Sequence, residues 1–188
     1  MVDARIVQTT KALHTAIVEL ASTTPVSTIT VADVTRTAGI NRATFYSHAT
    51  SPGSLLADVL TIDLDRIRAA DLVMREESTL DPLAITRRGM EAVVEHVATY
   101  RDIYRLALPD PSDASTHRVL ASHFETSTLG HFELAEPGRI PEGVAVPLAA
   151  AFIAHGLVGL IEAWLSGKRS SRKTLVDNIM LMLPIWWD

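Results

Sequence analysis

The sequence predicts an all-α protein with a small N-terminal helix-turn-helix domain and a larger helical C-terminal domain. Apolar residues recur at helical spacing along nearly all of the 188 residues, and no segment alternates convincingly as a β-strand does. Hydrophobic residues make up 47% of the chain, enough for a substantial core. We place the domains at 1–50 and 51–188, with a linking helix over about 51–74.

The first helix covers about residues 3–23 and ends before Pro25. Thr30 then begins a short second helix, because Asp33 stands three residues later, the spacing of a capping box. Apolar residues follow at positions 31, 34 and 38, and Gly39 suits the left-handed end of a helix. The segment therefore predicts a capped amphipathic helix followed by a glycine turn.

A third, polar-faced helix follows the turn. Asn41 is a suitable N-cap, and Phe45 has the position to pack back onto the apolar stripe of the second helix. An apolar helix, a glycine turn and a short polar helix form a helix-turn-helix, whose second helix enters the major groove of DNA. We expect contacts to double-stranded DNA from Thr30, Asn41, Arg42, Ala43, Thr44, Tyr46 and His48.

The remainder of the chain reads as further helices. A fourth begins at Ser51-Pro52, a cap followed by proline, and continues to about Met74. The later ones cover about 81–99, 101–108, 112–134 and 144–165, with a loop over 136–143. A last helix is expected to carry Leu175, Ile179, Met182 and Trp186 as one stripe.

Charge and residue usage limit the function classes. The net charge is −5, but residues 1–56 hold four basic and three acidic side chains, +1, whereas the rest holds thirteen and nineteen, −6. Absence of cysteine excludes a disulfide framework, a thiol nucleophile and a zinc finger. No two histidines of the C-terminal part stand at i, i+4, and no catalytic constellation appears. We expect no enzyme activity, no cofactor and no metal.

Residues 144–161 contain no charged side chain and are long enough to span a membrane. Pro147, His155 and two glycines instead favour close helix packing in a core or a subunit interface. Pairing the two C-terminal helices with those of a second copy would make a four-helix interface. We assign this interface to Leu157, Ile161, Trp164, Leu175, Ile179, Met182 and Trp186.

Residues 29–56, ITVADVTRTAGINRATFYSHATSPGSLL, resemble the N-terminal signature of the TetR family of transcriptional regulators, and HGLVGLIEAWL (155–165) resembles its dimerisation helix. The resemblance implies a cytoplasmic homodimer, most often a repressor, that a small-molecule effector releases from a palindromic operator. It places the effector among the C-terminal helices, where an apolar cavity would suit a small, mostly apolar ligand. The candidate effector residues are Tyr100, Tyr104, His123, Phe124, Phe152 and His155.

Two positions depart from the family pattern. Ala49 stands where an aromatic residue is usual, and Pro52 replaces the lysine that opens the fourth helix and contacts phosphate. Backbone N–H groups at this helix start remain as phosphate donors. With the low N-terminal charge, these departures leave an alternative open: a helical ligand-binding or scaffold protein of the same fold with impaired DNA binding. Salt-dependent binding to duplex DNA separates the two.

Overall fold

A computed structural model describes residues 4–77, 80–167 and 171–187 of the chain. Within these ranges the protein is all-α, as predicted, with no β-strand. A single 3₁₀ turn lies at Val26–Thr28. The helices are α1 (Ala4–Ala21), α2 (Val31–Ala38), α3 (Arg42–Tyr46), α4 (Pro52–Glu77), α5 (Pro82–Thr99), α6 (Arg101–Ala107), α7 (Ala114–Glu133), α8 (Val146–Ser166) and α9 (Arg172–Met182).

The chain folds into two compact units. Unit 1 comprises Met1–Thr61 and Tyr100–His117, and unit 2 comprises Ile62–Thr99 and Arg118–Asp188. Helices α4 and α7 each contribute to both units. The units divide the chain at places other than the predicted boundary between residues 50 and 51, because the start of α4 and all of α6 belong with the N-terminal helices.

In unit 1, α1 packs against α2 and α6, and α2 packs against α3. The side chains at its centre are completely or almost completely buried. Removing one such apolar side chain from water stabilises a fold by about 1.5–3 kcal/mol, so this small core holds the three N-terminal helices together. Its members include Leu13, Ile17, Val34, Phe45, Leu56 and Tyr104.

In unit 2, α9 packs against α5 and α8. Arg87 of α5 and Asp177 of α9 form an ion pair with an N–O distance of 2.7 Å. The carboxylate also accepts from Lys173, and these hydrogen bonds from Lys173 and then Arg87 hold the pKa of Asp177 below its usual value. The pairing of α5 with α9 therefore combines an apolar contact with a polar one at the surface.

Helix α8 is apolar on both sides but buries only one. Its length and composition would allow it to cross a membrane, and 44% of its most apolar window is buried inside the protein. Leu157, Ile161 and Trp164, predicted to form a dimer interface, lie on this buried side. Leu175 and Ile179 of α9 are likewise buried within unit 2. All five pack against their own chain, which leaves little of their surface for a second copy; the interface assigned to them stays a prediction.

The end of the chain also differs from the prediction. Helix α9 ends at Met182, and Leu183 is extended with φ −62° and ψ 148°. Pro184 explains this end, because a proline disfavours helical backbone in the residue before it. Trp186 therefore does not continue the stripe of α9, and its half-buried ring lies near Phe132 instead.

Candidate nucleic-acid interface and ligand cavity

Helix α2 begins with the predicted capping box. The Thr30 hydroxyl oxygen accepts from the Asp33 N–H at 3.2 Å, and the Thr30 N–H donates to the Asp33 carboxylate at 3.1 Å. The Thr30 hydroxyl first, and then the Thr30 N–H, donate to the Asp33 carboxylate and hold the pKa of Asp33 below its usual value. The Thr30 N–H is thus already bonded within the helix start.

The turn between α2 and α3 has the predicted chemistry. Gly39 adopts φ 67° and ψ 31°, a left-handed conformation that a side chain disfavours. Asn41 then caps α3, because its side-chain oxygen accepts from the Thr44 N–H at 2.8 Å and from the Thr44 hydroxyl at 3.1 Å. The Asn41 side-chain oxygen and the Thr44 hydroxyl are therefore already hydrogen-bonded to each other. Contacts to DNA would have to come from the remaining polar atoms of these side chains.

Helix α3 has one buried and one exposed side. Phe45 is 0% exposed and anchors the helix in the core of unit 1, as predicted. Tyr46 is 51% exposed, and Asn41, Arg42 and Ala43 are also exposed. The helix therefore presents most of the residues predicted to contact DNA on one accessible surface.

The guanidinium of Arg42 is held above the ring of Tyr46. Its Nη2 donates to the Tyr46 hydroxyl at 3.1 Å, and its Cζ lies 5.5 Å from the ring centroid. A cation over an aromatic face gains about 0.5–1 kcal/mol at an exposed site, so Tyr46 restricts where the guanidinium points. The two predicted DNA contacts thus act as one pair.

His48 connects the end of α3 to α1. Its Nδ1 lies 3.3 Å from the Thr10 hydroxyl, and the side chain is half-buried. Nearby on α1, burial lowers the pKa of His14. His48 therefore has a structural contact that the sequence did not reveal.

The start of α4 contains the two positions, Ala49 and Pro52, at which the sequence departs from the family pattern. Ala49 is buried beneath the helix-turn-helix, and Pro52 is buried in the first turn. Ser51 and Ser54 cap each other: the N–H of each donates to the hydroxyl of the other at 3.0 Å. Two of the backbone N–H groups that we expected to bind a phosphate are therefore already hydrogen-bonded. The hydroxyl groups of Ser51, Ser54 and the nearby Thr50 are further neutral polar groups at this helix start that were not selected from the sequence.

The charge of unit 1 is lower than that of residues 1–56. With α6 and the chain around it included, the unit holds six basic and seven acidic side chains, a net charge of −1. Arg36, one of the four basic residues in 1–56, is paired with Asp33 at 2.5 Å. The surface around α3 therefore offers few uncompensated cations to a phosphate backbone.

The six candidate effector residues do not share one site. Tyr100 and Tyr104 belong to unit 1, where Tyr104 is fully buried. Phe152 and His155 lie on the exposed side of α8, with Phe152 80% exposed. His123 and Phe124 line a cavity in unit 2. The six residues are thus divided between the units and between buried and exposed positions, because apolar spacing does not show which helix a tyrosine packs against.

Two cavities in unit 2 meet at a buried polar network. The smaller holds about 30 Å³, room for one or two waters, and contains His123 and Phe124 in its wall. The larger holds about 240 Å³ and is lined mainly by the segment that follows α7 and by the start of α5. Both share Arg75, His131 and Trp187 as walls. Neither Arg75 nor Trp187 was selected from the sequence.

Three histidines of unit 2 are buried, and burial lowers the pKa of each. The pKa of His96 and of His123 falls to about 4, with Asp63 opposing the shift at His96 and Arg68 adding to it at His123. The pKa of His131 is also lowered by burial, against a hydrogen bond to the Trp187 carbonyl. Among the described residues no group of three or more side chains could hold a metal ion.

Similarity to known proteins is confined to structure. No protein-family model matches the chain, and no curated protein matches it. Solved structures do match over nearly the whole chain. A TetR-family transcriptional regulator from Mesorhizobium loti aligns with TM-score 0.64, 13% identity and 95% of each chain covered.

Two further structures have named roles. The dihydroxyacetone kinase operon activator DhaS aligns with TM-score 0.63 and 14% identity, over 92% of this chain and 94% of its own. SmeT, the repressor of the Stenotrophomonas maltophilia multidrug efflux pump SmeDEF, aligns with TM-score 0.52 and 16% identity, over 95% and 87%. The helix-turn-helix and the helices that follow it thus have the fold of the TetR-family transcriptional regulators.

Proposed function

We propose that the protein is a TetR-family transcriptional regulator that binds a palindromic DNA operator as a homodimer. The observation that carries the proposal is α3, a short helix anchored by the buried Phe45 and presenting Arg42, Ala43 and Tyr46 to solvent. In a helix-turn-helix this is the surface that meets base edges in the major groove. The fold shared with known regulators supports the same proposal.

Arg42 is the residue on which we expect binding to depend most. Its guanidinium can bond guanine bidentately or hold a phosphate, and its contact with Tyr46 limits the freedom that it would lose on binding. Because unit 1 carries a net charge of −1, non-specific attraction to DNA should be weak. Affinity would then come from α3, neutral donors and the presence of two such units in a dimer.

The exposed side of α8 and α9 is the surface we assign to the homodimer, in place of the buried residues assigned from sequence. A Cβ added at Gly156 or Gly159 would meet no described atom within 4 Å, so a second helix can approach closely. We retain Met182, which is 63% exposed, in the proposed surface. The exposed apolar side chains are Leu148, Phe152, Leu181, Met182 and Ile185.

Regulation would follow from two dimer states, only one of which spaces the recognition helices for the operator. A ligand that favours the other state would release the DNA; a complete switch needs a preference of about 5.5 kcal/mol. We propose repression as the outcome, in the cytoplasm and without a cofactor or catalytic step. A reporter under the operator distinguishes repression from activation by the sign of its response when the regulator is removed.

Substitution of Arg42 tests the DNA contact. We expect Arg42→Ala to weaken binding to a selected duplex at least about tenfold, the effect of losing about 1.4 kcal/mol. Arg66→Ala is the matched control, because Arg66 is an exposed arginine of unit 2 with the same charge. If Arg42 reads a base, specificity at one position relaxes; if it holds a phosphate, the salt slope falls by about one. Unchanged affinity would contradict the role of Arg42.

Substitution of Phe152 tests the dimer surface. Phe152→Glu places a charge in the proposed interface, so we expect monomers in sedimentation and much weaker binding to the full palindrome. Val73→Glu is the control, because Val73 is an exposed apolar residue of α4, outside that surface. A dimer that survives Phe152→Glu unchanged would remove α8 from the interface.

The second candidate function is a ligand-binding or scaffold protein that no longer binds DNA. The net charge of unit 1 and the occupied N–H groups at the start of α4 favour it. It predicts no salt-dependent binding to any duplex, whereas a regulator loses affinity steeply as salt increases. Titration of a random duplex at two salt concentrations separates the two functions.

A further inference from the structure

The C-terminal segment after α9 places one residue in the interior of unit 2. Ile185 is fully exposed, but Trp187, two residues later, is only 5% exposed. A turn brings it back, because the Trp187 N–H donates to the Pro184 carbonyl at 2.9 Å. The short segment thus buries a single large aromatic ring rather than an apolar stripe.

Trp187 makes the contacts of a bound planar ligand. Its indole stacks on the His131 ring, with centroids 4.3 Å apart and planes inclined by 15°, and meets Phe132 edge-on at 5.6 Å. The indole Nε1–H donates to the Thr86 hydroxyl at 3.1 Å. The Trp187 carbonyl lies 2.7 Å from His131 Nε2. Unit 2 therefore recognises the flat face and the N–H of the indole, and it also binds the backbone carbonyl of Trp187.

The groups that contact Trp187 are themselves held in place by hydrogen bonds within unit 2. Arg75 donates to His131 Nδ1 at 3.0 Å and to the Thr86 hydroxyl at 3.1 Å, and Asp71 accepts from Arg75 Nε at 2.7 Å. Since a guanidinium only donates, Nδ1 must accept, and the ring proton lies on Nε2. The Arg75 charge is balanced by Asp71, so the site as a whole favours a neutral ligand.

Space and unsatisfied polar atoms lie next to the Trp187 indole. His123 and Ser127 line the small cavity, and among the described residues their Nδ1 and Oγ atoms are buried without a hydrogen-bond partner, with His123 only 7% exposed. The large cavity holds about 240 Å³. Because Trp187 is a wall of both cavities, withdrawal of its indole would open a space of at least about 270 Å³, close to the size of small-molecule sites.

We propose that Trp187 is an internal occupant of the effector site, and that the effector is a neutral planar aromatic molecule whose edge carries a hydrogen-bond donor. The effector takes the place of the indole, stacks on His131 and donates to Thr86. A polar group at its inner end reaches His123 Nδ1 and Ser127 Oγ. The segment 183–187 is thereby released from unit 2.

The release would also explain how the ligand acts on DNA, and this part rests on the proposed function. Residues 183–187 follow α9 directly, and Leu181, Met182 and Ile185 belong to the exposed surface that we assign to the dimer. Displacing Trp187 therefore changes the chain next to that surface. The effector binds more weakly than the site alone would allow, because it must compete with the indole.

Binding of free indole to full-length variants tests the site. We expect Trp187→Ala to bind indole in calorimetry and to be stabilised by it in thermal unfolding, at concentrations at least about tenfold lower than the wild type needs. Trp186→Ala is the matched control and should behave as the wild type, because Trp186 lines neither of the two cavities. Equal affinity of Trp187→Ala and wild type, or no binding by the folded variant, would overturn the proposal.

A second probe tests the hydrogen-bond donor of the ligand. 1-Methylindole has the same ring but no N–H, so it should bind Trp187→Ala about tenfold more weakly than indole, the cost of a lost buried hydrogen bond. If Trp187→Ala does not fold, the same pair of probes is compared on the wild type and on Thr86→Val, which should lose the preference for indole. Equal binding of both probes by the protein with Thr86 intact would contradict the contact.

Displacement is visible in the wild type by nuclear magnetic resonance of the indole N–H groups. The chain has three tryptophans, and Trp187→Ala identifies the signal of Trp187 by its loss. Saturating indole should move this signal to the position of an exposed indole while that of Trp164 stays. A bound state with the Trp187 signal unmoved would refute displacement. A titration with duplex DNA, run in parallel, separates the proposed regulator from the proposed effector site. Absence of DNA binding would refute the regulator without affecting the indole results.

Discussion

Acid should destabilise unit 2 through its buried histidines. The pKa of His96 and of His123 is about 4 in the folded protein against 6.5 in a free side chain. Both pKa values are lowered on folding, so the unfolded chain binds more protons between pH 6.5 and 4. Stability is therefore complete above pH 6.5 and is lost as the pH falls through this window.

The magnitude follows from the two pKa values. Between pH 6.5 and 5.0 each histidine should remove about 1.5 kcal/mol from the free energy of unfolding, or about 3 kcal/mol for both. For a chain of this size that lowers the melting temperature by about 6–12 °C. Three carboxylates also have a lowered pKa, but they change stability only below their ordinary pKa of 3.8, outside the measured window; they are Asp33, Asp110 and Asp177.

Denaturant unfolding at pH 6.5 and 5.0, followed by circular dichroism, measures the effect. His123→Gln should lose about half of the pH dependence that His96 and His123 contribute, whereas His117→Gln, in unit 1, should keep nearly all of it. His14 and His131, whose pKa values burial also lowers, add a part that neither variant removes. The control is needed because glutamine can lower the free energy of unfolding at either position through poorer packing. Only the difference in that free energy between the two pH values tests the buried histidine. A wild type equally stable at both pH values, or a His123→Gln variant with the full loss, would refute the reasoning.

Two further substitutions test the helix-turn-helix itself. Gly39→Ala should lower the free energy of unfolding by about 1–2 kcal/mol through the left-handed backbone alone, since an added Cβ meets nothing within 4 Å. Gly39→Asn should lower it less. Equal losses in denaturant unfolding would indicate that the turn relaxes. Thr30→Ala should cost about 1 kcal/mol by loss of the cap, while Thr30→Ser retains most of it; a silent Thr30→Ala would mean that Asp33 alone suffices to start α2.

The local structure could be predicted from the sequence where one residue determines it. Thr30 with Asp33, Gly39 and Asn41 each set a cap or a turn through their own side chain or backbone, and the structure has all three features. The prediction of the apolar surfaces was weaker. Helix α8 is apolar on both sides, so its periodicity could not tell the side buried in unit 2 from the side left exposed.

The candidate effector site shows the same limit more strongly. His123 and Phe124 were selected and do line a cavity, but Tyr104 packs in unit 1 because α6 contacts α1, a pairing distant in sequence. Trp187 was missed because the stripe of α9 was extended through Pro184. That proline was the available signal, since a helix seldom continues past the residue before it.

Selection of bound sequences from a random duplex pool tests the central claim most directly. A homodimer with two copies of α3 should enrich a palindrome whose half-sites lie about one turn of DNA apart. The Arg42→Ala variant should enrich it far less, or lose the preference at one position of each half-site. Enrichment of no sequence by the wild-type protein would contradict the account and leave a helical ligand-binding protein of the same fold.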